Sequence, residues 1–176
     1  MTASPLSRPT SVADVGPDGL VVEIVADAAE RAAVAAANEA LAVETLRAKV
    51  MLRPFGKDGV AVAGRVDAEV RRTCVVTLEP FVETVSEPID VRFAPAQEVS
   101  QVEEGGEIDL GPNDPPDPFV GGVIDVGAVV SEFLTLGLEL YPRKPGAAFE
   151  LPSASDAGDA SAFAALRKLK GPDGAR

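Results

Sequence analysis

One cysteine, Cys74, stands in the stretch Arg71-Arg72-Thr73-Cys74-Val75-Val76-Thr77-Leu78-Glu79-Pro80-Phe81. A thiol could act as a nucleophile or as a metal ligand. A nucleophile needs a base beside it, and a structural zinc site needs four donors. The sequence contains no histidine and no second cysteine. That removes Ser-His-Asp and Cys-His catalysis, together with the commonest transition-metal ligand. The ordinary reading of Cys74 is a small buried hydrophobe, with the reactive thiol as the alternative.

Glu79 with Glu83 could form an acid/base pair. The run Glu103-Glu104-Gly105-Gly106-Glu107-Ile108-Asp109 has oxygen donors but only a loose likeness to a calcium loop, and reads first as solvated acid. Gly105-Gly106 and Gly121-Gly122 lack the pattern of a phosphate-cradling loop. Arg71-Arg72, Arg143-Lys144 and Arg167-Lys168-Lys170 could meet phosphates, chiefly if folding brings two of these clusters together.

The charge is uneven. The chain of 176 residues carries a net charge of −12. Between Phe93 and Pro142 there are ten acidic residues and no Lys or Arg. Such a balance disfavours broad phosphate-backbone binding and favours attraction of a basic protein. No apolar run reaches the ~20 residues of a membrane helix. The N-terminus lacks the apolar core of a signal peptide, and one cysteine permits no internal disulfide, so a cytoplasmic location is expected.

These residues must be positioned by surrounding elements. Residues 1–18, rich in Ser, Pro, Thr and Gly, read as a flexible leader. Leu20 to Val25 reads as a strand. Asp27 with Glu30 three residues on is a capping box that opens an alanine-rich helix, Ala28 to Leu41, with Val34, Ala37 and Leu41 on one face. Residues 44–54 alternate through Leu46, Ala48, Val50 and Leu52. Residues 60–70 alternate through Val60, Val62, Gly64, Val66, Ala68 and Val70. Asp58-Gly59 between them predicts a hairpin.

Residues 81–85 and 89–93 look like strand pieces interrupted by Pro88. Residues 94–118 read as a long acidic loop, where Pro and charge oppose regular structure. Asp125 caps a helix over Val126 to Leu138, followed by the basic, proline-stiffened exit Tyr141-Pro142-Arg143-Lys144-Pro145-Gly146. Ala162 to Lys170 is amphipathic, with Phe163, Leu166 and Leu169 on one side and Arg167, Lys168 and Lys170 on the other. The expected fold is α+β: an antiparallel sheet of four or five strands, open or barrel-like, packed with two helices. One domain spans 19–151, and 152–176 form a linker and a short amphipathic segment.

The ordered set of motifs resembles the YceD family of bacterial large ribosomal RNA subunit accumulation proteins. Its carriers are Cys74 to Phe81, Ile124-Asp125-Val126-Gly127 leading to Glu132, Leu136 to Leu140, Tyr141 to Gly146, and the segment Phe163 to Lys170. Many members of that family have two cysteines where this chain has Cys74 and Thr77, so no metal and no cofactor is expected here. The resemblance implies a non-enzymatic role in ribosome biogenesis, with a ribosomal RNA precursor or a ribosome-assembly protein as partner. The alternative is an acidic binding module or chaperone for a basic ribosomal protein. The candidate partner-binding residues are Arg71, Arg72, Cys74, Thr77, Glu79, Pro80, Phe81, Tyr141, Pro142, Arg143 and Lys144.

Overall fold

A computed structural model describes residues 4–96 and 115–149. At its centre lies the predicted hairpin. Strand β3 (Ala42–Phe55) pairs with β4 (Gly59–Thr73) from Phe55↔Gly59 to Ala42↔Arg71, with one irregularity between Val43 and Thr45. The alternation explains the register, since a slip of one residue would turn every apolar side chain to water. Leu46, Ala48, Val50 and Leu52 of β3, and Val60, Val62, Val66, Ala68 and Val70 of β4, are all buried. Gly64 faces Val50 in the ladder, and a Cβ there would collide with the Lys49 carbonyl oxygen. Close approach of two backbones therefore requires glycine at this position.

Around the hairpin the main sheet runs β2-β3-β4-β5-β6. Strand β2 (Leu20–Val25) lies antiparallel to β3 on one side, and β5 (Pro80–Pro95) antiparallel to β4 on the other. Strand β6 (Asp117–Phe119) joins β5 in parallel. The sheet is open rather than barrel-like, because among the described residues β2 and β6 each have a neighbour on one side only.

Pro88 does not interrupt the segment it was expected to break. Residues 80–95 form one strand, with Pro88 opposite Arg65. Among the described residues β5 has no strand partner on its far side over most of its length, so the missing N–H removes nothing from a ladder there. The acidic loop expected over 94–118 begins and ends in strand. Its interior, residues 97–114, lies outside the described residues, as does everything after residue 149.

One sheet face carries the core. Helix α1 (Ala28–Ala37) packs on β3, and α2 (Val126–Gly137) packs on β5 and β4. The Asp27–Glu30 capping box forms in both directions, each bond 2.9 Å long. Helix α1 stops short of Leu41. The Asn38 side chain bonds the Val34 carbonyl, Glu39 turns into the left-handed region, and Leu41 N–H donates to the Arg71 carbonyl. Val34 and Ala35 are buried, while Ala37 and Leu41 face solvent, so the inward face is one residue off the predicted one. The opposite sheet face is solvated and charged, as antiparallel sheets permit. There Arg65 donates to the Ser86 hydroxyl, which donates to Asp67.

Residues 4–18 also depart from expectation. Leu6 is wholly buried, and β1 (Pro9–Ser11) pairs with β7 (Val123–Asp125) in a second, two-stranded sheet. The composition hid this, because Leu6 is the one fully buried apolar side chain of the stretch and its other ties are long-range polar bonds. No helix among the described residues is long and apolar enough to cross a membrane.

Candidate functional site

The turn between β4 and β5 holds Cys74 by backbone bonds. Cys74 N–H donates to the Glu79 carbonyl and Leu78 N–H to the Cys74 carbonyl, both at 2.9 Å. The thiol is enclosed, as the hydrophobe reading expects. Its surroundings are nonetheless polar. Thr77 N–H lies 3.4 Å from Sγ. The Thr77 hydroxyl, and after it the Thr77 N–H, favour the thiolate most strongly. Burial opposes them, and the N–H groups of Lys144 and Val76 add to them. The balance brings the thiol down from 9.0 to about 6. Thr77 thus offers a hydroxyl where a second thiolate would complete a pair of soft ligands. Among the described residues no group of three or more Cys, Asp or Glu side chains could hold a metal ion.

The chain after α2 closes over this turn. Val75 N–H donates to the Pro142 carbonyl at 2.9 Å, and Lys144 Nζ donates to Glu79 Oε2 at 2.9 Å. The Lys144 hydrogen bond holds the Glu79 carboxyl below its ordinary range. Arg72 Nη1 bridges Glu83 at 3.0 Å and the Glu139 carbonyl at 2.6 Å. Glu83 in turn accepts from Glu139 N–H at 2.9 Å. Pro142 is buried beneath the exposed Tyr141, Arg143 and Lys144.

The two stretches singled out from the sequence, 71–81 and 141–144, therefore meet at one end of the molecule. Arg71 stands apart, because it pairs with Glu44 of β3 at 2.7 Å. Pro80 is exposed and Phe81 half-buried at the start of β5. Three of the four candidate cations are engaged by carboxylates, whereas Arg143 makes no ion pair among the described residues. Glu83, first noted as an acid/base candidate, serves instead as the acceptor that fastens the α2 exit.

Apolar side chains at this end were missed by sequence reasoning. Val75, Leu78, Val82 and Leu140 are exposed, Leu78 at 76% and Leu140 at 79%, as is Tyr141, which the sequence already marked. Leu78 also has a left-handed backbone, with φ of 58°. A leucine that is both strained and solvent-facing incurs two local costs, and such costs gather at sites of function. The signal available in the sequence was the alternation of Leu136, Leu138 and Leu140, which outlasts the helix.

A family model described as "Large ribosomal RNA subunit accumulation protein YceD" matches residues 62–170. That span takes in most of β4, then β5 to β7, α2 and both halves of the site. Comparison with curated proteins and with solved structures gave no match.

Proposed function

We propose, since this chain belongs to the family of large ribosomal RNA subunit accumulation protein YceD, that it supports accumulation of that RNA without catalysing a reaction. The working surface is the end formed by the β4–β5 turn and the α2 exit, and its partner is a component of ribosome assembly. The observation that carries this reading is the junction Val75–Pro142 with Lys144–Glu79, which joins two family-matched stretches into one face. Exposed Val75, Leu78, Leu140 and Tyr141 give that face apolar contact area, and Arg143 gives it an uncommitted cation. Tyr141 suits either stacking on an unpaired base or packing in a groove. Direct contact with a ribosomal RNA precursor is one form of this reading.

A second form is favoured by charge. With a net −12 and Arg71, Arg72 and Lys144 already neutralised, the chain would act as an acidic module that binds a basic ribosomal or assembly protein.

A depleted strain tests both forms. Loss of the protein should lower the ratio of large- to small-subunit ribosomal RNA, and an unchanged ratio would end the proposal. Rescue by Leu78→Asp with Leu140→Asp should fail if the apolar face docks a protein. Failure of Arg143→Glu with Lys144→Glu alone would instead point to phosphate contact.

A further inference from the structure

A groove of about 520 Å³ runs beside the outer flank of α2, away from the Cys74 turn. Its floor is apolar: Val91 and Phe93 of β5, Phe119 of β6, and Val129, Phe133 and Leu136 of α2. Its rim is acidic. Asp90, Asp117 and Glu132 border it and are exposed, and none makes an ion pair among the described residues. No Lys or Arg lines it. A second copy of this chain is a poor occupant, because pairing two such faces would set carboxylates against carboxylates.

We propose that this groove takes the chain's own segment Ala162 to Lys170. Wound as a helix at 3.6 residues per turn, that segment would gather Phe163, Leu166 and Leu169 within an arc of about 120°, with Lys170 and Arg167 beside Phe163 at its edge and Lys168 on the opposite side. Apolar stripe meets apolar floor, and the flanking Arg167 and Lys170 meet the unpaired acids of the rim. The reach suffices. Thirteen residues separate Phe149 from Phe163, and such a linker extends up to roughly 45 Å. Strand β5 from Pro80 to Asp90, which leads from the α2 exit to the groove, covers about 33 Å at its usual rise. Tethering also raises the effective concentration of the segment to about the millimolar range, enough for a weak helix–groove contact. The family match continues to residue 170, so groove and segment belong to one matched unit. This inference stands apart from the Cys74 face and does not depend on its partner.

Zero-length carbodiimide coupling of the full chain, read by mass spectrometry, provides the test. An amine and a carboxylate join only when in contact. Lys168 or Lys170 should couple to Asp90, Asp117 or Glu132 at monomer mass. In Phe163→Asp with Leu166→Asp, which leaves every core side chain of the described residues in place, the yield should fall about tenfold or more. Coupling of these lysines only to other acids would overturn the proposal. So would coupling found only at dimer mass, or a yield indifferent to the two substitutions. A groove variant, Leu136→Asp, should lower the same coupling, because Leu136 is 68% exposed and its change spares the fold.

Discussion

The two ends of α2 are each tied to the rest of the chain by an arginine, and the ties differ in depth. At its N-terminus Asp125 caps Ala128 N–H while accepting from the Ser7 hydroxyl at 2.7 Å and the Arg8 N–H at 2.6 Å. Arg8 then pairs with Glu30 on α1. At its C-terminus Arg72 and Glu83 hold both the carbonyl and the N–H of Glu139. The Arg8–Glu30 side chains are 37% and 20% exposed, against 15% and 12% for Arg72–Glu83. A carboxylate stands in for a missing backbone partner at both ends, but only the C-terminal tie is well shielded from water. It is also the tie that positions the candidate face.

Arg72→Ala should therefore produce the largest effect, a loss of about 3 kcal/mol, because it leaves the enclosed Glu83 without its cation and the Glu139 carbonyl without its donor. Urea unfolding measures this, and a loss below about 1 kcal/mol would mean that solvent reaches the pair and that the two ends are equivalent after all. Asp125→Ala should cost less, about 1–2 kcal/mol, the usual range for a lost helix cap. Asp125→Asn should recover part of it, since asparagine also caps. Equal losses from both substitutions would show that charge, not capping, dominates at this end.

How far the sequence discloses this arrangement depends on the range of the interactions. The hairpin is legible because alternation is a local pattern, and so is the capping box at Asp27. Asp125 is legible as a cap for the same reason. Its bonds to Ser7 and Arg8 are not, because they join residues more than 100 positions apart. The anchoring of residues 4–18 rests on Leu6 and on close packing at Gly127, where a Cβ would stand 2.7 Å from Arg8 N. Leu6 does not stand out in a stretch of Ser, Pro and Thr, and Gly127 in the first turn of α2 gives no sign of the chain that passes it. Pro88 misleads because its meaning depends on topology: among the described residues β5 has no strand beside it there. At the candidate site, 71–81 and 141–146 are conspicuous singly, but their meeting is tertiary and so is the exposure of Leu78 and Leu140.

Acid should probe the N-terminal tie. Burial opposes the charge on Asp125, but the Arg8 N–H, the Ser7 hydroxyl and the N–H groups of Ala128 and Gly127 outweigh it and hold the carboxyl below its ordinary value. Arg8 lowers Glu30 in the same sense, with help from Asp27 N–H. Groups so depressed contribute stability in full above the ordinary carboxylate range near pH 4, and that contribution is lost as pH falls below it. The melting temperature should fall between pH 6 and pH 3, and fall less steeply in Arg8→Ala. Parallel curves would show that this tie adds nothing to the acid response.

The smallest effect on stability belongs to Lys144, whose bond to Glu79 is an exposed ion pair with side chains 47% and 59% accessible. Lys144→Ala should change stability by no more than about 0.5 kcal/mol. It should also leave the Cys74 thiol titrating at about 6 by absorbance near 240 nm, because Lys144 supports the thiolate through its backbone N–H, which alanine keeps. Thr77→Val removes the hydroxyl that favours the thiolate most and should raise that midpoint. A thiol depressed in this way stabilises the fold fully above its unfolded value near 9, and the contribution fades as pH drops through 6. Thr77→Val should accordingly be closest to the parent at pH 5 and furthest from it at pH 9. If Lys144→Ala moved the midpoint as far as Thr77→Val, the lysine charge rather than the ring of donors would be tuning Cys74. The turn would then be an electrostatic pair like the Arg8–Glu30 tie, not a cage of backbone bonds.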